Sequence, residues 1–250
     1  MIRLAPGLFG LLFLLLWEGG VRVTGVPQYL VPGPVAIAAA FFADPALFLT
    51  SALSTLGVTA TALAAAALLG VALAFLMQLS PLARAAFHPW TVVLQVTPIV
   101  AIAPLVIVWV GNPFAAVVVC ATIIAFFPVF SATAAGLAAA PADLTDLFRL
   151  NGAGRWDTLV LLRLPVALSY FLAGLRISGG LALVGTVSAE IVAGSGGVAS
   201  GLAYRILEAG YRLQVPRMFA ALVLLSASGL AINAGLGALA RAALRGRGEA

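Results

Sequence analysis

The fold is decided by AAFHPWTVVLQVTPIVAIAPLVIVWVGNPFAAVVVCATIIAFFPVFSATAAGLAAAPA, residues 85–142, which contains no Asp, Glu, Lys or Arg. At 1.5 Å rise per residue, a helix needs about 20 mostly apolar residues to cross the hydrocarbon of a bilayer. Fifty-eight uncharged residues are too many for one crossing and suit two. The break falls at Gly111-Asn112-Pro113, which is strong turn chemistry. On the N-terminal side, residues 45–83 are free of the same four types, and Pro81 closes a span from Ala52 to Leu79. On the C-terminal side, a fifth span runs from Pro165 to Val192, interrupted by Arg176 and ended by Glu190 and Gly194-Ser195-Gly196-Gly197. A sixth fills Met218 to Ala240.

Composition agrees. Of 250 residues, 63% are hydrophobic and 8% charged, with mean hydropathy +1.17. Soluble domains carry about 25% charged residues, so this chain cannot cover a water-facing surface. The expected class is an all-α, polytopic membrane bundle of about six spans. All 13 basic residues are arginine, and His88 and Cys120 are the only residues of their types. Without lysine there is no P-loop and no Schiff base. One histidine and one cysteine cannot form a zinc site of three or four ligands, and a single thiol forms no intrachain disulfide. Carboxylates are not clustered, so neither an intramembrane enzyme nor a metal or cofactor is expected. The net charge of +5 comes from arginines scattered singly, which suits membrane sidedness rather than nucleic acid.

The run Leu4–Trp17 behind Arg3 reads as either a short span or a secretory signal peptide. No convincing Ala-x-Ala site follows and Val21–Val26 extends the helix, which favours a retained first span. The arrangement then puts both termini in the cytoplasm of a cell whose inner or plasma membrane holds the chain. Inside lie Arg3, Arg84, Arg149, Arg155, Arg163, Arg241, Arg245 and Arg247, and outside lie Arg22, Arg205, Arg212 and Arg217. Eight against four obeys the positive-inside rule. Val31-Pro32-Gly33-Pro34 with Val35–Phe42 is too short to span and reads as a short helix at the outer interface. Residues 202–212 read as an amphipathic external helix. The expected organisation is a first span and interfacial segment over 1–51, a core over 52–240 and a tail over 241–250.

The longest cytoplasmic loop, Pro141 to Pro165, is also the most charged, with Asp143, Asp146, Arg149, Arg155, Asp157 and Arg163. Leu144, Leu147, Phe148 and Leu150 fall near helical spacing, with Asp143 as N-cap. Gly152-Ala153-Gly154 ends that helix, and Arg155-Trp156-Asp157 begins another. Such an element is either a docking handle for a soluble partner or a solvated connector.

The loop resembles a motif of the inner-membrane permeases of binding-protein-dependent ABC importers: E-A-A, three residues, Gly, nine residues, I-x-L-P. Asp146-Leu147-Phe148 stands at E-A-A, Gly152 at the glycine, and Leu162, Leu164 and Pro165 at I-x-L-P. Asp for Glu and Leu-Phe for Ala-Ala depart from the motif but suit the nitrate/sulfonate/taurine-type branch. Leu30-Val31-Pro32-Gly33-Pro34, Thr97-Pro98-Ile99 through Trp109-Val110-Gly111, Phe126-Phe127-Pro128 and Gly174-Leu175-Arg176 through Ala189-Glu190 are also similar to that branch. The resemblance covers residues 30–235. It implies a coupling helix, Ala142–Asn151, seated in a groove of a cytoplasmic ATPase. Asp143, Asp146, Leu147, Phe148, Arg149, Gly152, Ala153, Leu164 and Pro165 would be the coupling residues. Two ATPase copies, a second permease copy (a homodimer) and a solute-binding protein are the implied partners. Sulfonates, taurine, nitrate, bicarbonate and pyrimidine vitamin precursors are all handled within the branch, so the cargo stays open.

Gln95, Thr97, Pro98 and Pro104 make the third span the candidate lining of a pathway, because its prolines free carbonyls that a wet cavity would satisfy. Arg176 lies about 16 Å into the fifth span by helical rise. A guanidinium there attracts an anionic substrate or organises the bundle by pairing with helix-end carbonyls; the second reading is favoured. Glu190 reads as an interfacial or gating contact, His88 as interfacial and Cys120 as an ordinary small apolar residue. Gly180 and Gly185, and Gly229, Gly235 and Gly237, read as sites of close helix packing. The rival function is a stand-alone secondary transporter or channel, but such carriers place acids near the midplane, and here only Glu190 lies in a span, near its end.

Overall fold

Proline opens four of the helices, at Pro34, Pro45, Pro81 and Pro113, a position where its missing N–H costs nothing. The computed structural model describes residues 5–194 and 200–245. Arg3, Ser195, Gly196, Gly197 and Arg247, on which parts of the sequence reading rest, lie outside the described residues. In chain order the helices are α1 (Ala5–Thr24), α2 (Pro34–Ala43), α3 (Pro45–Leu79), α4 (Pro81–Val96), α5 (Ile99–Val110) and α6 (Pro113–Ala138). Then come α7 (Ala142–Leu150), the single turn α8 (Arg155–Asp157), a π-helical turn over Thr158–Arg163, and α9 (Leu164–Ala193). The last are α10 (Leu202–Tyr211) and α11 (Val215–Leu244). No strand forms among the described residues. Among the described residues five stretches are long and apolar enough to cross a membrane, and the α4–α5 pair makes a sixth if counted as one bent span.

Several boundaries differ from the sequence reading. The third span is not one helix: α4 and α5 meet at 104°. The Pro98 ring excludes its predecessor from the α region, and Thr97 accordingly has ψ 122°. Pro104 is accommodated inside α5. The second span starts earlier, at Pro45, where the Asp44 carboxylate caps the helix by accepting the Leu47 N–H at 3.2 Å. Neither Arg176 nor Glu190 interrupts α9, which runs on to Ala193; a polar side chain leaves the backbone ladder intact. The segment expected as a short helix is helical, as α2, and the turn at Gly111-Asn112-Pro113 is real, with Asn112 Oδ1 accepting the Ala115 N–H at 3.0 Å.

The described helices fall into two compact units, Met1–Thr55 with Gly194–Ser228 and Leu56–Ala193 with Gly229–Ala250. In the first, Ile37, Phe48, Ala52, Leu202, Ala220 and Ala221 form the core, with Trp17 and Phe41 packed against it. The Glu18 carboxylate ties α1 to the start of α2, accepting from Arg22 Nε at 2.7 Å and from the Val35 N–H at 3.1 Å. Helix α10 is fastened to α3: the Leu202 N–H donates to Thr55 Oγ1 at 2.9 Å and Arg205 Nε to Ser51 Oγ at 3.0 Å.

In the second unit α6 and α9 pack along much of their lengths. Gly136 lies against Ala167 and Tyr170, Gly174 against Pro128 and Ala132, and Gly185 against Ala121. Where no side chain intervenes, two helix backbones approach closely without hydrophobic help from the lipid. Ser178 Oγ donates to the Ala125 carbonyl at 2.7 Å, and Thr59 Oγ1 to Thr186 Oγ1 at 3.1 Å, both buried. Of the glycines expected to mediate packing, Gly185, Gly229 and Gly237 have close neighbours, whereas Gly180 and Gly235 face open space. The sequence reading did not name Gly136, and it named Gly174 only within the resemblance, not as a packing site.

Candidate functional site

The 141–165 loop begins with a helix that buries nothing. In α7, Leu144, Leu147 and Leu150 are 43%, 51% and 85% exposed, and Phe148 is half-buried. Its N-cap is Pro141, not Asp143. Pro141 cannot continue a helix backward, so the first turn starts two residues sooner, and the Pro141 carbonyl accepts from Thr145 Oγ1 at 3.0 Å. Asp143 instead sits in the first turn and Arg149 in the last, each at the end of the helix dipole that favours its charge. Asp146 and Arg149 approach at 3.6 Å as an exposed pair, a contact that contributes little in water.

The end of α7 is sharply defined. Gly152 has φ +76°; the Ala153 N–H donates to the Phe148 carbonyl and the Gly152 N–H to the Arg149 carbonyl, each at 3.0 Å. This paired 6→1 and 5→2 closure is the Schellman arrangement, which needs a left-handed residue at that place. The chain restarts at once: Asp157 Oδ2 accepts the Gly154 N–H, and Thr158 Oγ1 donates to the Gly154 carbonyl, both at 3.0 Å. The π turn follows, with Leu159 and Leu162 buried, while Leu164 and Pro165 begin α9 exposed. The loop thus joins an unburied amphipathic helix to a turn anchored in the core, and the anchored turn runs without interruption into a membrane-length helix.

Between α7, the π turn and the end of α3 lies a cavity of about 550 Å³. Its walls include Gln78, Thr145, Arg149, Arg155, Thr158 and Arg163. Of the residues for which the resemblance implies a coupling role, Arg149 and Ala153 line it; Asp143, Asp146, Leu147 and Phe148 do not. A second cavity of about 340 Å³, between α3, α4 and α6, is lined by Arg84, His88, Thr91, Phe127, Phe130 and other residues. His88 therefore borders a hollow.

The pathway candidates are not gathered at one point. Gln95 and Pro98 are exposed at the α4–α5 bend and Pro104 is exposed on α5, while Thr97 donates its hydroxyl to the Val93 carbonyl at 2.6 Å. Arg176 is exposed and donates from Nε to Asn233 Oδ1 on α11 at 2.7 Å, so its partner is a side chain rather than a helix-end carbonyl. Glu190 is buried, 8% exposed, within the last turn of α9. Asn233 went unnoticed in the sequence, although an amide inside an apolar span is itself a signal.

A model of the family described as "Binding-protein-dependent transport system inner membrane component" matches residues 66–245. A probable ABC transporter permease protein of Haemophilus influenzae is 33% identical over 222 residues, 89% of either chain. The formylaminopyrimidine transport permease protein ThiX of Halalkalibacterium halodurans is 31% identical over 228 residues, 91% of this chain and 89% of its own. Among solved structures, the MetNI methionine ABC transporter in an inward-facing conformation matches the fold with a TM-score of 0.68. That match covers 78% of this chain and 95% of the other, at 20% identity. With the family model covering well over half its length, this chain belongs to the binding-protein-dependent transport system inner membrane components, as a permease subunit of an ABC importer.

Proposed function

We propose that α7 is the handle by which a separate ATPase drives this permease. In this reading the 141–165 loop and both termini face the cytoplasm, and two copies of the chain line one pathway beneath an external solute-binding protein. The observation that carries it is the exposed leucine stripe of α7 on an otherwise unburied helix. Such a stripe costs free energy in water and is relieved when a groove covers it. A chain without lysine lacks the residue that grips nucleotide phosphates in a P-loop, so hydrolysis falls to the partner. Motion imposed on α7 would pass through the π turn, held by Leu159 and Leu162, into α9 and then α6, a rigid-body lever between two states. Asp143, Asp146, Leu147, Phe148, Arg149, Gly152 and Ala153 are assigned to the handle, and Leu164 and Pro165 to its junction with the membrane.

Arg176, exposed on a span of the single chain, is assigned to the face that meets a second copy or a water-filled lumen, since lipid would penalise it. Gln95, Thr97, Pro98 and Pro104 are assigned to the same pathway, and Glu190 to a contact that gates its outer end. The cargo we propose is a small nitrogen heterocycle, on the strength of the likeness to the formylaminopyrimidine permease.

Cross-linking tests the handle. With Cys120 replaced by Ala, a Leu150→Cys chain is expected to join a nucleotide-hydrolysing subunit in membranes. Gly152→Val, which forces a β-branched residue to φ +76°, should abolish solute-stimulated ATP hydrolysis while insertion persists. Normal stimulation in that variant, or solute uptake by the chain alone in liposomes, would overturn the assignment.

A further inference from the structure

The hollow behind α7 gathers charge of one sign. Arg149, Arg155 and Arg163 all line it, joined by the hydroxyls of Thr145 and Thr158 and the amide of Gln78, and no carboxylate does. Of the acids of the loop, Asp146 meets one of these arginines, Arg149, as an exposed pair at 3.6 Å, Asp157 caps Gly154, and Asp143 lies in the first turn of α7. The Arg155 and Arg163 side chains make no hydrogen bond or ion pair among the described residues. Guanidinium groups around one hollow repel one another until an anion enters. Their planar forks match phosphate oxygens two at a time.

Position narrows the source. Gln78 is one residue from the end of α3, and Arg163 is the last residue before α9 begins its apolar run. The hollow therefore lies at the ends of two helices long enough to cross a membrane, and basic side chains beside such ends attract lipid phosphates.

We propose that the hollow walled by Arg149, Arg155 and Arg163 binds a phosphate group, presented by the headgroup of an anionic membrane lipid. The site goes beyond the coupling role; it shares Arg149 with the handle, and its test is read at Arg155 and Arg163, which the handle does not use. A bound headgroup would brace α7 against the π turn from behind.

The test uses the full chain in a non-ionic detergent, titrated with fluorescent phosphatidylglycerol, with phosphatidylcholine as reference and inorganic phosphate or pyrophosphate as competitor. Arg155→Gln/Arg163→Gln should raise the Kd for phosphatidylglycerol about thirtyfold, from two arginine contacts at an anionic surface. Arg155→Lys/Arg163→Lys, which keeps the charge and loses the fork, should fall between. It also serves if the glutamine pair unfolds. Displacement of the lipid by free phosphate would place the shared phosphate chemistry in this hollow with either source admitted, and resistance to it would assign the site to lipid. Equal affinities for phosphatidylglycerol in wild type and both variants, or no preference over phosphatidylcholine, would overturn the proposal. So would loss of all phosphate binding when the ATPase is present, which would mean that a carboxylate of that partner fills the hollow.

Discussion

A β-carbon added at Gly174 would sit 2.6 Å from Ala132 Cβ and 2.7 Å from the Pro128 carbonyl oxygen. The obstruction is partly backbone and cannot rotate away, so Gly174→Ala should cost about 1–3 kcal/mol as the helices are forced apart. Gly180→Ala, with nothing within 4 Å, should stay within about 0.5 kcal/mol. Thermal unfolding of the two variants in detergent makes the comparison; equal melting temperatures would refute the packing argument. Gly174 was not legible in the sequence, because a chain with 26 glycines does not reveal which of them meet a neighbour. Gly152 was, since its place after α7 follows from motif spacing and its φ of +76° is the physical reason a glycine stands there. The Arg176–Asn233 bond was hidden for the opposite reason: its ends are 57 residues apart, and no local pattern pairs them.

Among the elements, α7 makes a clean prediction. Its leucines support no core, so Leu147→Gln/Leu150→Gln should leave the unfolding temperature of the isolated chain unchanged while the ATPase is lost on purification. A fall in stability of the chain by itself would show that the stripe is internal packing instead. Span existence was legible because charge-free runs are a direct readout of the bilayer's cost for ions. Span ends were less so. Apolar residues continue into the turns of α3 and α11, and their caps are set by Asp44 or by tertiary contact. The α4–α5 break shows why proline alone decides little. Pro89 and Pro104 both sit inside helices, whereas at Pro98 the bond from Thr97 to the Val93 carbonyl closes the preceding helix.

At the scale of the whole molecule, sidedness depends on whether the α4–α5 pair crosses or re-enters. Single-cysteine chains in a Cys120→Ala background, Leu82→Cys and Asn112→Cys, should react with an impermeant maleimide from opposite faces. Labelling of both from one face would make the pair a re-entrant hairpin. Helix α3 adds a different demand. Its 35 residues reach about 52 Å, against a hydrocarbon thickness of about 30 Å. Part of the surplus is housed, since Ser51 and Thr55 are buried in bonds with α10. The remainder is taken up by tilt, by protrusion into water or by local thickening of the bilayer, at fractions of a kcal/mol per ångström of disagreement. Reconstitution into bilayers of different acyl-chain length is therefore expected to change the thermal stability of the chain without altering a residue, and equal melting temperatures across chain lengths would refute the mismatch argument.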